Sequence, residues 1–273
     1  MTAHGASREA FAAARERLDA LTDSTSVDAA RLAGELAAVT ALLHREVSLR
    51  RVLTDPSQAG DAKAELVQRL LGTQVGGSAA DLVAGTVRSR WSQSRDLVDV
   101  LEELANIADL TAAQKAGKLD NVEDELFRFG RIVSSNTGLR AALTDRKATA
   151  SAKSELLHSL LGGRADAATE RLVTRLVTAP RGRSLEAGLE ALSKLAAERR
   201  DRMVAVVTSA VPLSDPQKQR LGAALAKLYG RPMHLNLDVD PAVLGGIRVQ
   251  VGDEVINGSL ADRIEDAARR MAS

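Results

Sequence analysis

The sequence predicts a mainly α-helical chain: two tandem six-helix-type bundles followed by a small α+β C-terminal domain. Three observations lead there. The palette is apolar without being aromatic, 45% of residues being hydrophobic but only 2% Phe, Trp or Tyr. Cores made mainly of Ala, Leu and Val suit packed helices, where small and straight side chains fit without strain. A 24-residue stretch recurs 90 positions later in the chain. After about Arg202 the helical periodicity gives way to short alternating runs punctuated by glycine.

The 273 residues are enough for two or three compact domains. The opening "MTAHGASREAFAAARERLDAL" mixes acids with bases and has no continuous apolar core, so it reads as an amphipathic helix and not as a signal peptide. No apolar run approaches the roughly 18 residues that cross a bilayer. Lys plus Arg number 37 and Asp plus Glu 36, a net charge of +1 that gives no global field to draw nucleic acid or an anionic membrane. The absence of cysteine removes disulfides, thiolate nucleophiles and Cys-ligated zinc, and points to a reducing compartment.

The repeat organises the first two thirds. "LRRVLTDPSQAGDAKAELVQRLLG" (49–72) and "LRAALTDRKATASAKSELLHSLLG" (139–162) are identical at 12 of 24 positions. Upstream, Leu32, Leu36, Val39 and Leu43 align with Val122, Leu126, Phe129 and Val133, a spacing that marks one helix face. Downstream, Leu82, Val83 and Val87 align with Leu172, Val173 and Val177. Past a two-residue deletion, Leu97, Leu101 and Leu104 align with Leu185, Leu189 and Leu192. Each copy is therefore a series of amphipathic helices joined by short turns, long enough for its own small core. Residues 1–100 form the first bundle, 101–202 the second and 203–273 the last domain.

The duplication also tests single residues. His158 stands where the first copy has Gln68, so that position asks only for a polar group; His4, His44 and His234 have no acidic or histidine partner at metal spacing. Trp91 aligns with Arg181 at a helix end, which reads as partly buried packing.

In the last domain "MVAVVTSA" (203–210) reads as a buried strand, and Ser214 with Gln217 as a capping box opening a helix that Gly230 ends. "MHLNLDV" and "GIRVQV" alternate as strands, "GDE" turns, and "VING" returns. Ser259 and Asp262 open a final helix, "LADRIEDAARRM". A phosphate cradle needs its glycines to run into a helix N-terminus, whereas Gly245-Gly246 leads into a strand and no lysine follows. "GTQVGGSAAD" (72–81) lacks the lysine too. These are turn glycines.

"VDPAVLGGIRVQVGDEVINGSLADRI" resembles the C-terminal signature of the delta subunit of F-type ATP synthase, the family of the oligomycin-sensitivity-conferring protein. Val239-Asp240, Val243, Gly245-Gly246, Ile247, Val249, Gly252-Asp253 and Gly258-Ser259 match the pattern; Asn257 departs from the usual aspartate, and serves a turn equally well. "KAGKLDNVEDELFRFGRIVSSNTGLRAALTD" is similar to the family's N-terminal bundle. Residues from about 100 to 273 cover the family's usual length, so residues 1–100 look like an extra bundle.

The resemblance implies a stator subunit, not an enzyme. It would join the N-terminal helices of the head's alpha subunits to the b stalk at the cytoplasmic face of the bacterial plasma membrane. One copy per complex is implied, with no cofactor, nucleic acid or membrane insertion. By family analogy a groove between the first and fifth bundle helices, roughly 103–116 and 166–178 here, takes an alpha helix. Its candidates are Leu104, Ile107, Ala108, Leu172, Val173 and Leu176, which read equally as ordinary core. Three or four such anchors supply about 5–12 kcal/mol gross. Arg263, Arg269 and Arg270 are candidates for meeting acidic residues on b, or a solvated helix face. A free-standing helical adaptor or regulator also fits the bundles and treats the glycine motif as coincidence. An enzyme would need a paired acid and base, an activated nucleophile or a metal cluster, none of which the sequence offers.

Overall fold

The computed structural model describes residues 5–23, 27–200, 203–229, 233–240, 246–251 and 254–257. They comprise two compact units, 1–197 and 198–273.

Unit 1 opens with α1 (Ala6–Asp23), α2 (Ala29–Arg45), α3 (Val47–Thr54), α4 (Gly60–Leu71) and α5 (Gly77–Val87). A 22-residue helix follows, α6 (Ser94–Lys115). Then α7 (Leu119–Ser135), α8 (Thr137–Thr144), α9 (Ala150–Leu161) and α10 (Ala167–Thr178) repeat α2 to α5, each starting 90 residues after its counterpart, before α11 (Leu185–Arg200). The aligned apolar rows are the buried ones in both copies: Leu32, Leu36, Val39 and Leu43 on α2, and Val122, Leu126, Phe129 and Val133 on α7.

The recurring "LTD" triplet has a physical reason at each letter. Leu53 and Leu143 are both 1% exposed, anchoring their short helices in the cores. Thr54 and Thr144 donate their hydroxyls back one turn to the carbonyls of Arg50 and Arg140. Asp55 Oδ1 accepts from Ser57 N at 2.8 Å, and Asp145 Oδ1 from Lys147 N at 2.8 Å, so each aspartate folds over the next backbone amide and ends the helix. The side-chain and backbone hydrogen bonds from Ser57 hold the Asp55 carboxyl below its ordinary range.

A second device repeats as well. Glu125 Oε2 accepts from Asp166 N (2.9 Å) and Thr169 Oγ1 (2.5 Å), fixing the start of α10. Ninety residues earlier the Glu35 carboxylate lies 3.0 Å from where a Cβ on Gly76 would stand, at the N-cap of α5. That glycine loop is therefore already faced by an anion, the opposite of a phosphate site.

The two cores meet on one helix. Leu97, Leu101, Leu104 and Ala108 of α6 belong to the first core, and Leu110 and Ala113 to the second. The expected boundary at residue 100 falls inside α6, which closes one bundle and continues into the next with no linker.

In unit 2, β1 (Met203–Ser209), α12 (Asp215–Tyr229), β2 (Met233–Val239), β3 (Ile247–Val251) and β4 (Glu254–Asn257) form a four-stranded sheet in the order β2-β1-β3-β4. β1 runs parallel to β2, as its helical crossover requires, and antiparallel to β3; β3 and β4 are antiparallel, with Val251 opposite Glu254. Ala205, Val207, Val249, Val251 and Leu225 make its core. The apolar run of β1 is buried on one face only, Val206 being 37% exposed, because alternate residues point to opposite sides even in a central strand. The capping box at α12 is half made: Gln217 Oε1 accepts from both Ser214 N and Ser214 Oγ at 2.8 Å. The helix end at Gly230 and the final helix with Ser259 and Asp262 lie outside the described residues.

Candidate partner-binding surfaces

The six aliphatic residues expected to line a groove are core. Leu104, Ile107 and Ala108 lie in the first core at 0–1% exposure, and Leu172, Val173 and Leu176 in the second at 0–4%. The physical reason is the shared helix: the N-terminal part of α6 is wrapped by α1, α2, α3 and α5, and its C-terminal part meets α7 and α10. Arg263, Arg269 and Arg270 lie outside the described residues, as do Gly245, Gly252, Asp253, Gly258 and Ser259.

Val239 ends β2 with its side chain 46% exposed, and Asp240 N donates to Ser209 O at 3.0 Å, holding the strand end against β1. Gly246 has φ +83° immediately before β3, a conformation L side chains rarely adopt. Gly246→Ala is expected to cost about 1–2 kcal/mol in urea denaturation, because a Cβ in the left-handed region collides with its own backbone. Gly246 thus turns the chain into β3.

The seam between α6 and α10 carries an ionic ladder. Asp109 is fully buried; its Oδ1 accepts from Arg171 Nε at 2.6 Å and its Oδ2 from an Arg175 terminal nitrogen at 2.7 Å. The other Arg175 terminal nitrogen donates to Asn106 Oδ1 at 2.5 Å. One turn earlier, buried Glu102 meets Arg183 at 2.6 Å and Arg181, and Arg181 also reaches Asp99 at 3.1 Å. Arg181 adopts φ +48° with its side chain 7% exposed, and burial lowers its pKa to about 10 against the opposing pull of Asp99. Gly85 stands at the aligned position of Arg175, and Arg17 lies against it.

Among the described residues no group of three or more metal-binding side chains occurs. His158 Nδ1 pairs with Glu170 at 2.7 Å, where aligned Gln68 donates to Asp81 at 2.7 Å; both tie their helix to the next. Trp91 is 8% exposed in the first core.

Open clefts among the described residues of unit 1 include two that involve aligned helices. One, about 700 Å³, lies between α2 (Ala37, Thr40, Ala41, His44) and α10 (Ala167, Arg171, Thr174, Thr178), with Glu102 of α6 between. The other, about 770 Å³, lies between α7 (Phe127, Gly130, Arg131, Ser134) and α11 (Glu186, Leu189, Glu190, Ser193). Neither was legible from periodicity, which marks buried faces; the signal was the repeat, since both clefts use the same positions of the second and seventh helices.

The described residues form a doubled helical bundle with open inter-helix clefts and, as a separate unit, a small mixed sheet. Residues 107–271 match the family model described as ATP synthase delta (OSCP) subunit. The chain is 86% identical over 270 residues to the ATP synthase subunit delta of Streptomyces coelicolor, covering 99% of this chain and 98% of that protein. It is 48% identical over 268 residues to that of Thermobifida fusca, covering 98% and 99%, and 46% identical over 273 residues to that of Frankia alni, with the same shares. The chain belongs to the ATP synthase delta (OSCP) subunit family, whose members are peripheral-stalk components. The family match begins inside α6, so the helices before it lie outside the matched span although the relatives cover them.

Proposed function

We propose that this chain is the stator link of a bacterial F-type ATP synthase. It joins the N-terminal helices of the head's alpha subunits to the b stalk, one copy per complex, at the cytoplasmic face of the plasma membrane. It performs no chemistry and needs no cofactor. The two bundles, 1–100 and 101–202, and the domain 203–273 serve as separate attachment regions, with Arg263, Arg269 and Arg270 on the b side.

The observation that supports this reading best is α6. A link that resists rotor torque must not hinge between its attachment points, and a helix shared by two cores provides that stiffness. Attachment at more than one region also makes each later contact intramolecular, so modest interfaces hold through effective concentration. No helix among the described residues is long and apolar enough to cross a membrane, which fits a peripheral position.

Membranes from cells lacking the chain, reconstituted with and without the full-length protein, test the proposal. Proton-driven ATP synthesis is expected to disappear without it and return with it, while ATP hydrolysis by the detached head persists. Synthesis that continues undiminished in its absence overturns the reading.

A further inference from the structure

Asp99, Glu102, Asn106 and Asp109 follow one another along α6 at helical spacing, which puts them on one face over roughly 15 Å. Arg171 and Arg175 of α10 hold the Asn106–Asp109 end of this row. Arg181 and Arg183, in the turn between α10 and α11, hold the Asp99–Glu102 end. That end belongs to the other bundle. Asp99 and Glu102 stand among Leu97, Leu101 and Leu104 of the first core, whereas α10 and α11 give Leu176 and Leu185 to the second. The turn therefore reaches out of the second bundle and grips the first bundle's stretch of α6.

Arg183 N donates to Pro180 O at 3.0 Å, closing a turn whose central residues, Arg181 and Gly182, have φ +48° and +82°. Positive φ at both central positions is type I′ geometry, which suits glycine or asparagine and strains an arginine. Arg181 occupies it all the same, with its guanidinium buried against Glu102. Apolar side chains would fill this seam without a strained backbone, and such a replacement of a buried ion pair is often neutral or stabilising. What charged, directional contacts add is a fixed geometry. The aligned positions of α1 are Glu9, Ala12, Glu16 and Asp19, and Trp91, packed in the first core, stands where the second copy has Arg181. The arginine turn thus belongs to the copy whose opening helix is already part of another bundle.

We propose that the Pro180–Arg183 turn is a latch that sets the angle between the two bundles. A long helix curves readily, so α6 alone fixes their separation but not their inclination. Bracing one face of α6 from Asp109 to Asp99 resists that bending, because opening the angle draws the turn off Glu102 and Asp99. The latch rests on the fold alone; its use in holding two attachment regions at a set spacing rests on the stator reading.

The chain has no cysteine, so spin labels can be placed at will. Glu65→Cys on α4 and Glu155→Cys on α9 are exposed, aligned positions, one in each bundle. Electron–electron double resonance on the labelled full-length chain is expected to give one narrow distance distribution. Adding Glu102→Leu with Arg181→Met is expected to broaden or shift that distribution while the urea midpoint holds or rises. Arg183 is half exposed and can turn to water in that variant. A purely structural ion pair would move the midpoint and leave the distance alone. Arg181→Gly, which keeps the turn's positive φ and leaves Arg183 on Glu102, is expected to broaden the distribution less, and it decides the matter if the double variant does not fold. A distribution indistinguishable from the parent's in the folded variant overturns the proposal, and so does a parent chain that already shows several separations. The stator reading fails by a different readout, ATP synthesis in membranes lacking the chain, so the two failures are distinguishable.

Discussion

Asp109→Ala is expected to destabilise the folded chain by about 3–5 kcal/mol, read as a shift of the urea midpoint at unchanged slope. Asp109 has no exposed surface, and both its oxygens are engaged by guanidinium groups. Arg175, whose side chain is only 12% exposed, keeps Asn106 as its remaining polar partner once the carboxylate is gone. The cost arises from a buried cation left without its anion, more than from the lost attraction itself. Arg171 is 36% exposed and can turn to water, so it contributes less. A second variant separates the two terms. Replacing Asp109 and Arg175 together by Leu and Met removes the charges as a pair, and recovery of most of the loss is expected. The exposed pair Arg128–Asp124 is the contrast, since its removal is expected to change stability by about 0.3–0.5 kcal/mol. An Asp109→Ala shift as small as that would show the ladder to be incidental to the seam.

The ladder also shows where sequence reading stopped. Asp19 and Asp109 occupy aligned positions, both buried, so the repeat suggests one role for them. Their surroundings differ because Gly85 faces one seam and Arg175 the other, and such pairing between helices distant in sequence leaves no periodic trace. What was legible was local. The rows Leu32–Leu43 and Val122–Val133, the "LTD" turns and the four strands follow from side-chain period and backbone-competing aspartates, which act within a few residues. The groove candidates show the limit from the other side. Leu104 and Leu172 were found because they are apolar at helical spacing, and that property places them in cores. Phe127, which breaks the match to Ala37 and is exposed, is the more informative residue, because an apolar side chain kept in water by a well-packed fold needs a reason. The alignment also hid the sharing of α6: two similar units in series read as two domains, whereas helix length alone merges them.

Leu110→Ala is expected to lower stability by about 2–5 kcal/mol and, because of that merging, to lower it in the first core too. Leu110 is fully buried in the second core, below the last residue of α6 that reaches the first. Trp91, the chain's only tryptophan, reports on the first core alone. If α6 couples the bundles, unfolding either one frays the helix that the other needs, and unit 1 melts as one cooperative body. Trp91 fluorescence and far-ultraviolet ellipticity should then move together in Leu110→Ala, as they should in the mirror variant Leu101→Ala, which opens a cavity in the first core. A Trp91 midpoint that stays put while ellipticity shifts would mean that the bundles unfold independently. In that case α6 would be a tether, and torque applied at one bundle could be relieved by partial unfolding before it reached the other. A shared midpoint requires instead that the stator hold or fail as a whole, which is the property a part resisting continuous rotation needs.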